Sequence, residues 1–465
     1  MMTAPRKPGE SPGTPPLGGV LKGLFRRFVP PTLELHDIQA LILRPRPAPY
    51  YGTHAFVEIM DAAGGREAMR RLRTRVTSAA DWREARSAWT AVALSYRGLE
   101  ALGAPASALA SFPRAFREGM AARADKLRDH GPNDPSRWQA PFGTGRVHLM
   151  VSVYADSEEA WRDELAGYEE QFATLTGLRV LLRQDFGAQP ESRNAFGFKD
   201  GFTQPVVEGS GVEGWPGDGR PIKAGEFILG YKAEGGHALG APTPEVLGRN
   251  GTYLVFRKYH SHVDAFNRYL HQGADTPEGR EFLAAKLVGR WRSGAPLELA
   301  PEHDDVGLGA DDSRNNDFRY RDDPKGLRTP VGSHIRRMNP RDTELKVLSD
   351  VNIRRIIRRS TTYGEPLGDS LRDDGKPRGL DFIAISARAI DTVEFLQSEW
   401  INSGNFIGRG TEKDPLLGVQ DENAFFTVPG TPPRRISGIE TFNTLDGGEY
   451  FFMPSLTALD WLAGL

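Results

Sequence analysis

The chain has 465 residues, of which 39% are hydrophobic and 26% charged, so it is long enough for one large domain or two to three ordinary domains. Its formal net charge of -2 gives no overall positive field, which excludes nucleic acid or an anionic membrane as an evident partner. It contains no cysteine, which excludes disulfides, thiolate nucleophiles, zinc ribbons and iron–sulfur clusters, so any metal or cofactor must be held by His, Asp, Glu, Tyr or Met.

The N-terminal segment, residues 1–33, is rich in proline and glycine and predicts a flexible arm. Arg26 and Arg27 resemble a twin-arginine export signal, but the residues that follow, FVPPTLELHD, are not the apolar segment that such a signal needs. No stretch of the sequence reaches membrane-spanning length. We therefore expect a cytoplasmic protein that has no contact with a membrane.

Strands and helices alternate in the first half of the chain. The apolar pattern predicts strands at 54–60, 88–95, 145–155 and 178–187. Helices are predicted over GGREAMRRLRTRV, YRGLEALG and EEAWRDELAGYEEQFATL. Because these elements do not form long parallel repeats, they predict an antiparallel sheet with helices on one face, which is an α+β arrangement.

A similar pattern recurs after a loop-rich segment at 205–245. Strands are predicted at 251–261, 379–387 and 448–455, and helices over VDAFNRYLHQGA, GREFLAAKLVGRW, IDTVEFLQSEWIN and LTALDWLAG. This recurrence predicts two α+β halves, 34–215 and 216–465, related by internal duplication.

Two short motifs suggest a ligand but have simpler interpretations. GSGVEG at 209–214 matches the letters of a dinucleotide-binding fingerprint, yet it lacks both a preceding strand and a following helix, so we interpret it as a loop. The two histidines of HSH at 260–262 could ligate a metal, but alternating positions at a strand end are more often incidental.

Four stretches carry the residues that point to chemistry: FGFKDGFTQP with Asp200, GSHIRRMNPRD with His334, RRIIRRSTTYG with Arg358, and GLDFIAISA with Leu380 and Phe382. Each has an ordinary alternative. Asp200 could cap a turn, as aspartate before glycine often does, His334 could lie on a surface loop, Arg358 could be solvated, and the two apolar residues could belong to the core.

Taken together and in this order, these stretches resemble the dye-decolorizing peroxidases. GFKDG matches the family's G-x-x-D-G motif, HIRRMNPRD the segment of its proximal haem ligand, and IIRRSTTYG the segment of its distal arginine. Four further segments also resemble segments of the family: DIQALIL, FPRAFREGMAARADKLRD, DPLLG and GGEYFFMPS. The resemblance therefore covers about residues 37–465.

This resemblance implies two ferredoxin-like halves with haem b held mainly by the second. It implies that His334 is the axial iron ligand, that Asp200 and Arg358 are the distal acid–base and charge partners, and that Leu380 and Phe382 lie over the distal face of the haem. In that arrangement the residue between the two apolar side chains, Asp381, points the other way.

Further residues are candidates for supporting roles. Asp414 is the expected carboxylate partner of the axial imidazole, because such a partner makes a ligating histidine more electron-rich. Arg336 and Arg337 could pair with the haem propionates, and a solvated face is the alternative for both. Ser360 stands where some branches of the family have an amide, so we expect a weaker donor to peroxide at that position.

The resemblance predicts a peroxidase that reduces hydrogen peroxide and oxidises small aromatic compounds or dyes one electron at a time. An unperturbed aspartate titrates near 3.9 and a histidine near roughly 6.5, so an aspartate base predicts a pH optimum well below neutral. The alternative is a non-enzymatic protein that carries haem or iron, which would need neither Asp200 nor Arg358. A homo-oligomer is a further possibility that the sequence leaves open.

Overall fold

The structure is a computed structural model that describes residues 33–83, 87–187, 193–343, 351–408 and 410–465. Within these ranges it contains the following strands: β1 Tyr51–Ile59, β2 Ala88–Leu94, β3 Leu149–Ala155, β4 Leu178–Gly187, β5 Thr252–Ser261, β6 Ile357–Arg358, β7 Thr361–Tyr363, β8 Gly379–Ser386, β9 Phe425–Val428, β10 Arg434–Ser437 and β11 Asn443–Met453. The arm predicted at 1–33 lies outside the described residues except for Leu33, which is buried.

The strands of the two halves follow the same order. In the first half the order across the sheet is β4-β1-β3-β2, and in the second half it is β11-β5-β8-β6, with β7 also pairing with β8. If only the four strands named in each order are numbered along the chain, both orders are fourth, first, third, second. All pairs are antiparallel, and a single residue pair, Phe452 with Leu94, joins the halves into one sheet. The predicted α+β duplication of two ferredoxin-like halves is confirmed.

The two four-stranded groups face each other, and this gives each group an inner and an outer face. On the inner side, the ring of His54 in β1 lies 5.9 Å from that of Phe256 in β5, and its Nε2 atom lies 3.1 Å from Thr361 Oγ1 in β7. Because Phe256 is opposite Ile383 in β8, and because side chains alternate along a strand, Leu380 and Phe382 belong to the outer face. The helices cover the outer faces, because the inner faces of the two groups already pack against each other.

The α-helices of the described residues lie at the predicted places, together with several short ones. They are Ala40–Leu43, Ala62–Arg73, Tyr96–Ala101, Ala106–Ala110, Arg114–Glu118, Ala124–Leu127, Glu158–Phe172, Glu245–Gly248, Val263–Gly273, Pro277–Val288, Val306–Ala310, His334–Met338, Ala389–Phe395 and Leu456–Ala463. Several predicted elements differ in extent. The strand predicted at 54–60 begins at Tyr51, and the one predicted at 448–455 begins at Asn443. The strand predicted at 145–155 begins only at Leu149, and the helix predicted at 390–402 changes after Phe395 into a π-helical segment, Leu396–Ile401.

Local sequence signals explain where the longer helices begin and end. The helix Pro277–Val288 begins after Thr276, whose hydroxyl accepts a hydrogen bond from the Gly279 N–H at 3.1 Å, and it has proline at its first turn. It ends at Gly289, whose φ of 103° is in the left-handed region that glycine adopts without strain. The helix Glu158–Phe172 begins in the same way, at Ser157.

Candidate functional site

The outer face of β8 presents an apolar surface together with one arginine. Leu380 and Phe382 are half-buried, whereas Asp381 between them is fully buried on the inner face. Arg358 in β6 is directly opposite Ala384 in β8, so its side chain belongs to the same outer face as the two apolar residues. Strand register therefore brings together three residues that the sequence separates by 22 to 24 positions.

Asp200 lies in a loop that is bonded to Arg358. The Arg358 guanidinium donates from Nη2 to the Thr203 carbonyl oxygen at 2.8 Å, and the Gln204 amide exchanges two hydrogen bonds with the Arg358 backbone, at 3.0 and 3.1 Å. The Asp200 side chain is exposed, and its Oδ1 accepts the Gly201 N–H at 2.6 Å. The turn-capping alternative is thus observed, and it uses only one of the two carboxylate oxygens.

Asp200 and Arg358 do not form an ion pair among the described residues, although both lie close to Arg290. Burial is the main reason why the pKa of Arg290 is lowered to about 9; the positive charge of Arg358 contributes to this, and the negative charge of Asp200 opposes it. Gly201 has φ of 97°, and a side chain at this position would meet no atom within 4 Å. The space beside the residue that follows Asp200 is therefore open.

His334 is the first residue of the short helix His334–Met338, and Asp414 lies directly behind its ring. The His334 Nδ1 atom is 3.0 and 3.2 Å from the two carboxylate oxygens of Asp414, which is 0% exposed. Asp414 also accepts the N–H groups of Leu416 and Leu417 at 2.9 Å each. Burial by itself would raise the pKa of Asp414, but its contacts with His334 and the charge of Arg337 outweigh burial and lower it. An ionised Asp414 fixes the proton on Nδ1, which leaves the Nε2 lone pair of His334 available for a metal.

The two arginines after His334 fasten the helix to its surroundings. Arg336 is 1% exposed, and it donates to the carbonyl oxygens of Thr329 and Asp323 at 2.7 Å each and to the Asp323 carboxylate at 3.2 Å. Arg337 is also buried and donates to the Trp400 carbonyl oxygen at 2.9 Å. The loop at 323–329 holds the Arg336 guanidinium, so pairing of Arg336 with a propionate stays a prediction. The alternative of a solvated face is wrong for both arginines, because both are buried.

A small apolar cluster holds the three loop segments of the site together. It contains Phe196 and Phe198 from the segment of Asp200 and Leu416 from the segment of Asp414, and Ile335, next to His334, packs against it. The helices Val263–Gly273 and Pro277–Val288 supply most of the remaining members of the cluster. The segments of the site are therefore anchored to one another by packing as well as by hydrogen bonds.

Sequence reasoning missed a group of arginines behind Arg358. Arg290, Arg341 and Arg355 gather there, and burial lowers the pKa of all three, that of Arg355 to about 10. The Arg355 guanidinium has no hydrogen-bond partner among the described residues, and Asp218 is the carboxylate that opposes its shift. Its side chain is surrounded by protein but remains partly accessible. The run RRIIRR contained the signal, but the sequence could not tell which of its arginines lack a partner.

Other predicted positions have structural contacts. The Ser360 hydroxyl is buried and accepts the Ile383 N–H at 3.1 Å. His260 and His262 have ring centroids 4.8 Å apart, and His262 Nε2 lies 3.0 Å from Thr444 Oγ1. Across the described ranges there is no cluster of three or more His, Asp or Glu side chains able to hold a metal ion.

Comparisons with known proteins show the family to which the chain is related. Residues 37–177 match the family model described as the DyP dimeric alpha+beta barrel domain. The chain is 31% identical over 399 residues to dye-decolorizing peroxidase msp1 of Mycetinis scorodonius, and the aligned region covers 79% of this chain and 75% of the relative. It is 32% identical over 415 residues to a dye-decolorizing peroxidase of Mycena epipterygia, which covers 80% and 75%.

Solved structures show the same fold. A fungal DyP-type peroxidase from Auricularia auricula-judae superimposes with a TM-score of 0.80 at 26% identity, covering 93% of this chain and 99% of the other. A dye-decolorizing peroxidase in complex with 2,6-dimethoxyphenol superimposes with a TM-score of 0.78 at 28% identity, covering 93% and 100%.

None of the helices in the described part of this chain is both long and apolar enough to cross a membrane.

Proposed function

This chain belongs to the dye-decolorizing peroxidases and is a haem peroxidase, and we propose that it holds haem b between His334 on one side and Asp200 with Arg358 on the other. The bond between His334 and the ionised Asp414 carries this proposal, because it is the arrangement by which proteins orient an imidazole toward a metal. The absence of cysteine supports haem b, since no thioether link to the cofactor is possible.

The residues present fit a haem. Its porphyrin plate is apolar and suits the half-buried Leu380 and Phe382. Its propionates carry two negative charges, and Arg355 offers a guanidinium that lacks a partner among the described residues. An unpaired cation surrounded by protein is costly, and an anionic group there would offset that cost. We therefore propose Arg355, in place of Arg336, as a partner of a propionate.

Bound haem would supply the redox-active iron at which peroxide is reduced. Asp200 would accept a proton from hydrogen peroxide at Oδ2, the oxygen that does not accept the Gly201 N–H, and would return a proton to the departing oxygen. General acid–base transfer of this kind is worth about 10²–10⁴ in rate. The Arg358 guanidinium, held by the Thr203 carbonyl oxygen, stabilises the negative charge that develops on the departing oxygen.

The proposed base predicts an acidic pH optimum. Aspartates as a class titrate near roughly 3.9 and histidines near roughly 6.5, so an aspartate base works at pH values where a histidine base is protonated. The reducing substrates that we propose are phenols and dyes, as the names of the relatives suggest. Activity toward a dye that is highest above pH 7 would contradict the role of Asp200.

Reaction with hydrogen peroxide, followed by stopped-flow absorbance in the Soret band, tests the proposal. We expect a fast spectral change in the wild-type holoprotein that slows by about 10²–10⁴ in Asp200→Ala and by about 10²–10³ in Arg358→Leu. Asp163→Ala and Arg162→Leu, which alter exposed residues of the helix Glu158–Phe172, are matched controls and should react as the wild type does. A haem-loaded wild-type protein that is inert to peroxide would instead favour the alternative of haem carriage.

A further inference from the structure

The first half of the molecule contains an apolar cavity that the peroxidase reaction does not use. Its volume is 320 Å³, and it lies between the outer face of the sheet β4-β1-β3 and the helix Glu158–Phe172. Ala55, Val151 and Val153 form part of its floor, and Leu165 and Phe172 form part of its roof. The cavity belongs to the half that carries neither His334 nor Arg358.

Strand register relates the position of this cavity to the surface we assign to haem. The floor is the outer face of the first half, because the alternate residues of β1, His54 and Phe56, point inward to Phe256. The strand β3 is the third along the chain of β1, β2, β3 and β4, as β8 is of β5, β6, β8 and β11. Val151 and Val153 on β3 thus occupy the face that corresponds to Leu380 and Phe382 on β8. The cavity therefore lies over the face of the first half that corresponds to the face we assign to haem in the second half.

The roof of the cavity is a loosely seated helix. None of the residues of the helix Glu158–Phe172 is fully buried, although the helix lies over a strand, β3, in which every residue is buried. Val180 at the edge of this space is 50% exposed, so the cavity opens to solvent as a cleft beneath the helix.

The chemistry of the walls defines the occupant. The Tyr168 hydroxyl is bonded to Thr90 Oγ1 at 2.7 Å, and Thr53 Oγ1 donates to Asp185 at 2.6 Å and accepts the Trp161 indole N–H at 3.0 Å. The charged pair at the rim, Glu169 and Arg183, is also self-satisfied, with 2.8 Å between its atoms, and both side chains are exposed. An occupant of the cavity would therefore contact apolar surface, and no polar side chain of the lining needs it as a hydrogen-bond partner.

We propose that this cavity is a binding site for a neutral, apolar small molecule of the size of a bicyclic aromatic. An engineered apolar cavity of roughly 150 Å³ stays free of water and binds benzene, so a space of about twice that volume suits two fused or linked rings. The lining contains no histidine or methionine, and its one tyrosine is bonded to Thr90, so no side chain is available to ligate the iron of a second haem. The site is separate from the proposed peroxidase site and does not depend on it.

Fluorescence titration of the haem-loaded protein with N-phenyl-1-naphthylamine, a neutral two-ring probe, tests the proposal. We expect saturable binding of one probe per chain without a change in the Soret band. Ala55→Phe, which places a ring into the cavity from its floor, should weaken binding at least tenfold. Ala63→Phe, at an exposed position of the helix Ala62–Arg73 that does not line the cavity, is the matched control and should bind as the wild type does.

Val153→Phe fills the same space from β3 and serves if Ala55→Phe does not fold; circular dichroism and the Soret spectrum report folding. Competition by unlabelled naphthalene should release the probe. Absence of saturable binding, equal binding by a folded cavity-filled variant, or a Soret shift that accompanies binding would each overturn the proposal. The last result would place the probe beside the haem instead.

Discussion

Replacing Asp414 with asparagine removes one buried negative charge from behind His334 at almost constant volume. The carboxylate accepts three hydrogen bonds, from His334 Nδ1 and from the N–H groups of Leu416 and Leu417. An asparagine oxygen can keep the two backbone bonds, but only the amide nitrogen is then left to face His334. That nitrogen is a donor, so it meets the Nδ1–H of the imidazole as a second donor, and the preferred tautomer of the ring changes.

The magnitude follows from the type of bond that is lost. A hydrogen bond to a charged group is worth about 1.5–3 kcal/mol, so we expect the apoprotein to lose stability in this range. Loss of a carboxylate partner of a metal-ligating histidine weakens metal affinity by about 10–100-fold, and we expect haem affinity to fall by that factor. Because the lowered pKa of Asp414 keeps it ionised in the fold, its contribution is present above the unfolded pKa and disappears as pH falls through the folded value.

The assays are urea unfolding of the apoprotein, titration of the apoprotein with haem, and the reduction potential of the haem-loaded protein, which should become more positive. Asp421→Asn is the matched control, because Asp421 is an exposed aspartate of the same segment whose ion pair with Lys413, at 3.0 Å, is worth about 0–1 kcal/mol. If Asp414→Asn bound haem as tightly as this control and had the same potential, the assignment of His334 as the oriented axial ligand would be refuted.

Three further predictions concern separate features. Arg336→Met should destabilise the apoprotein by about 3–5 kcal/mol in urea unfolding, with little effect on haem affinity. Arg355→Met should weaken haem binding by about 10–100-fold without destabilising the apoprotein. The reverse pattern would restore Arg336 as the propionate partner. Burial lowers the pKa of His54 to about 3 from 6.5, so this residue contributes stability that is lost as pH falls below 6.5. The loss amounts to about 2 kcal/mol between pH 7 and pH 5. His54→Gln should lack this component of the pH dependence, and an identical dependence in both proteins would contradict the prediction. Gly201→Ala should lower the free energy of unfolding by about 1–2 kcal/mol, measured by thermal unfolding, because the φ of 97° is unfavourable for alanine. The new methyl group would meet open space, so no clash adds to this cost. An unchanged free energy of unfolding would show that the loop relaxes freely.

The sequence determined the elements of this protein and their chemistry. Alternation of apolar residues located most of the strands, and it also placed Leu380 and Phe382 opposite to Asp381, because side chains alternate along any strand whatever its partner. The ordered motifs around Asp200, His334 and Arg358 identified the family. These are local properties, and a linear pattern records them completely.

Tertiary structure alone decided which side chains meet. Arg336 and Arg355 both lie in arginine-rich runs, yet one is held by the loop at 323–329 and the other has no partner among the described residues. The cavity under the helix Glu158–Phe172 depends on how closely that helix sits against β3, which no periodicity encodes. Partner choice and packing distance arise from contacts between residues that are far apart in the chain, and that is the physical reason why only the folded structure could decide them.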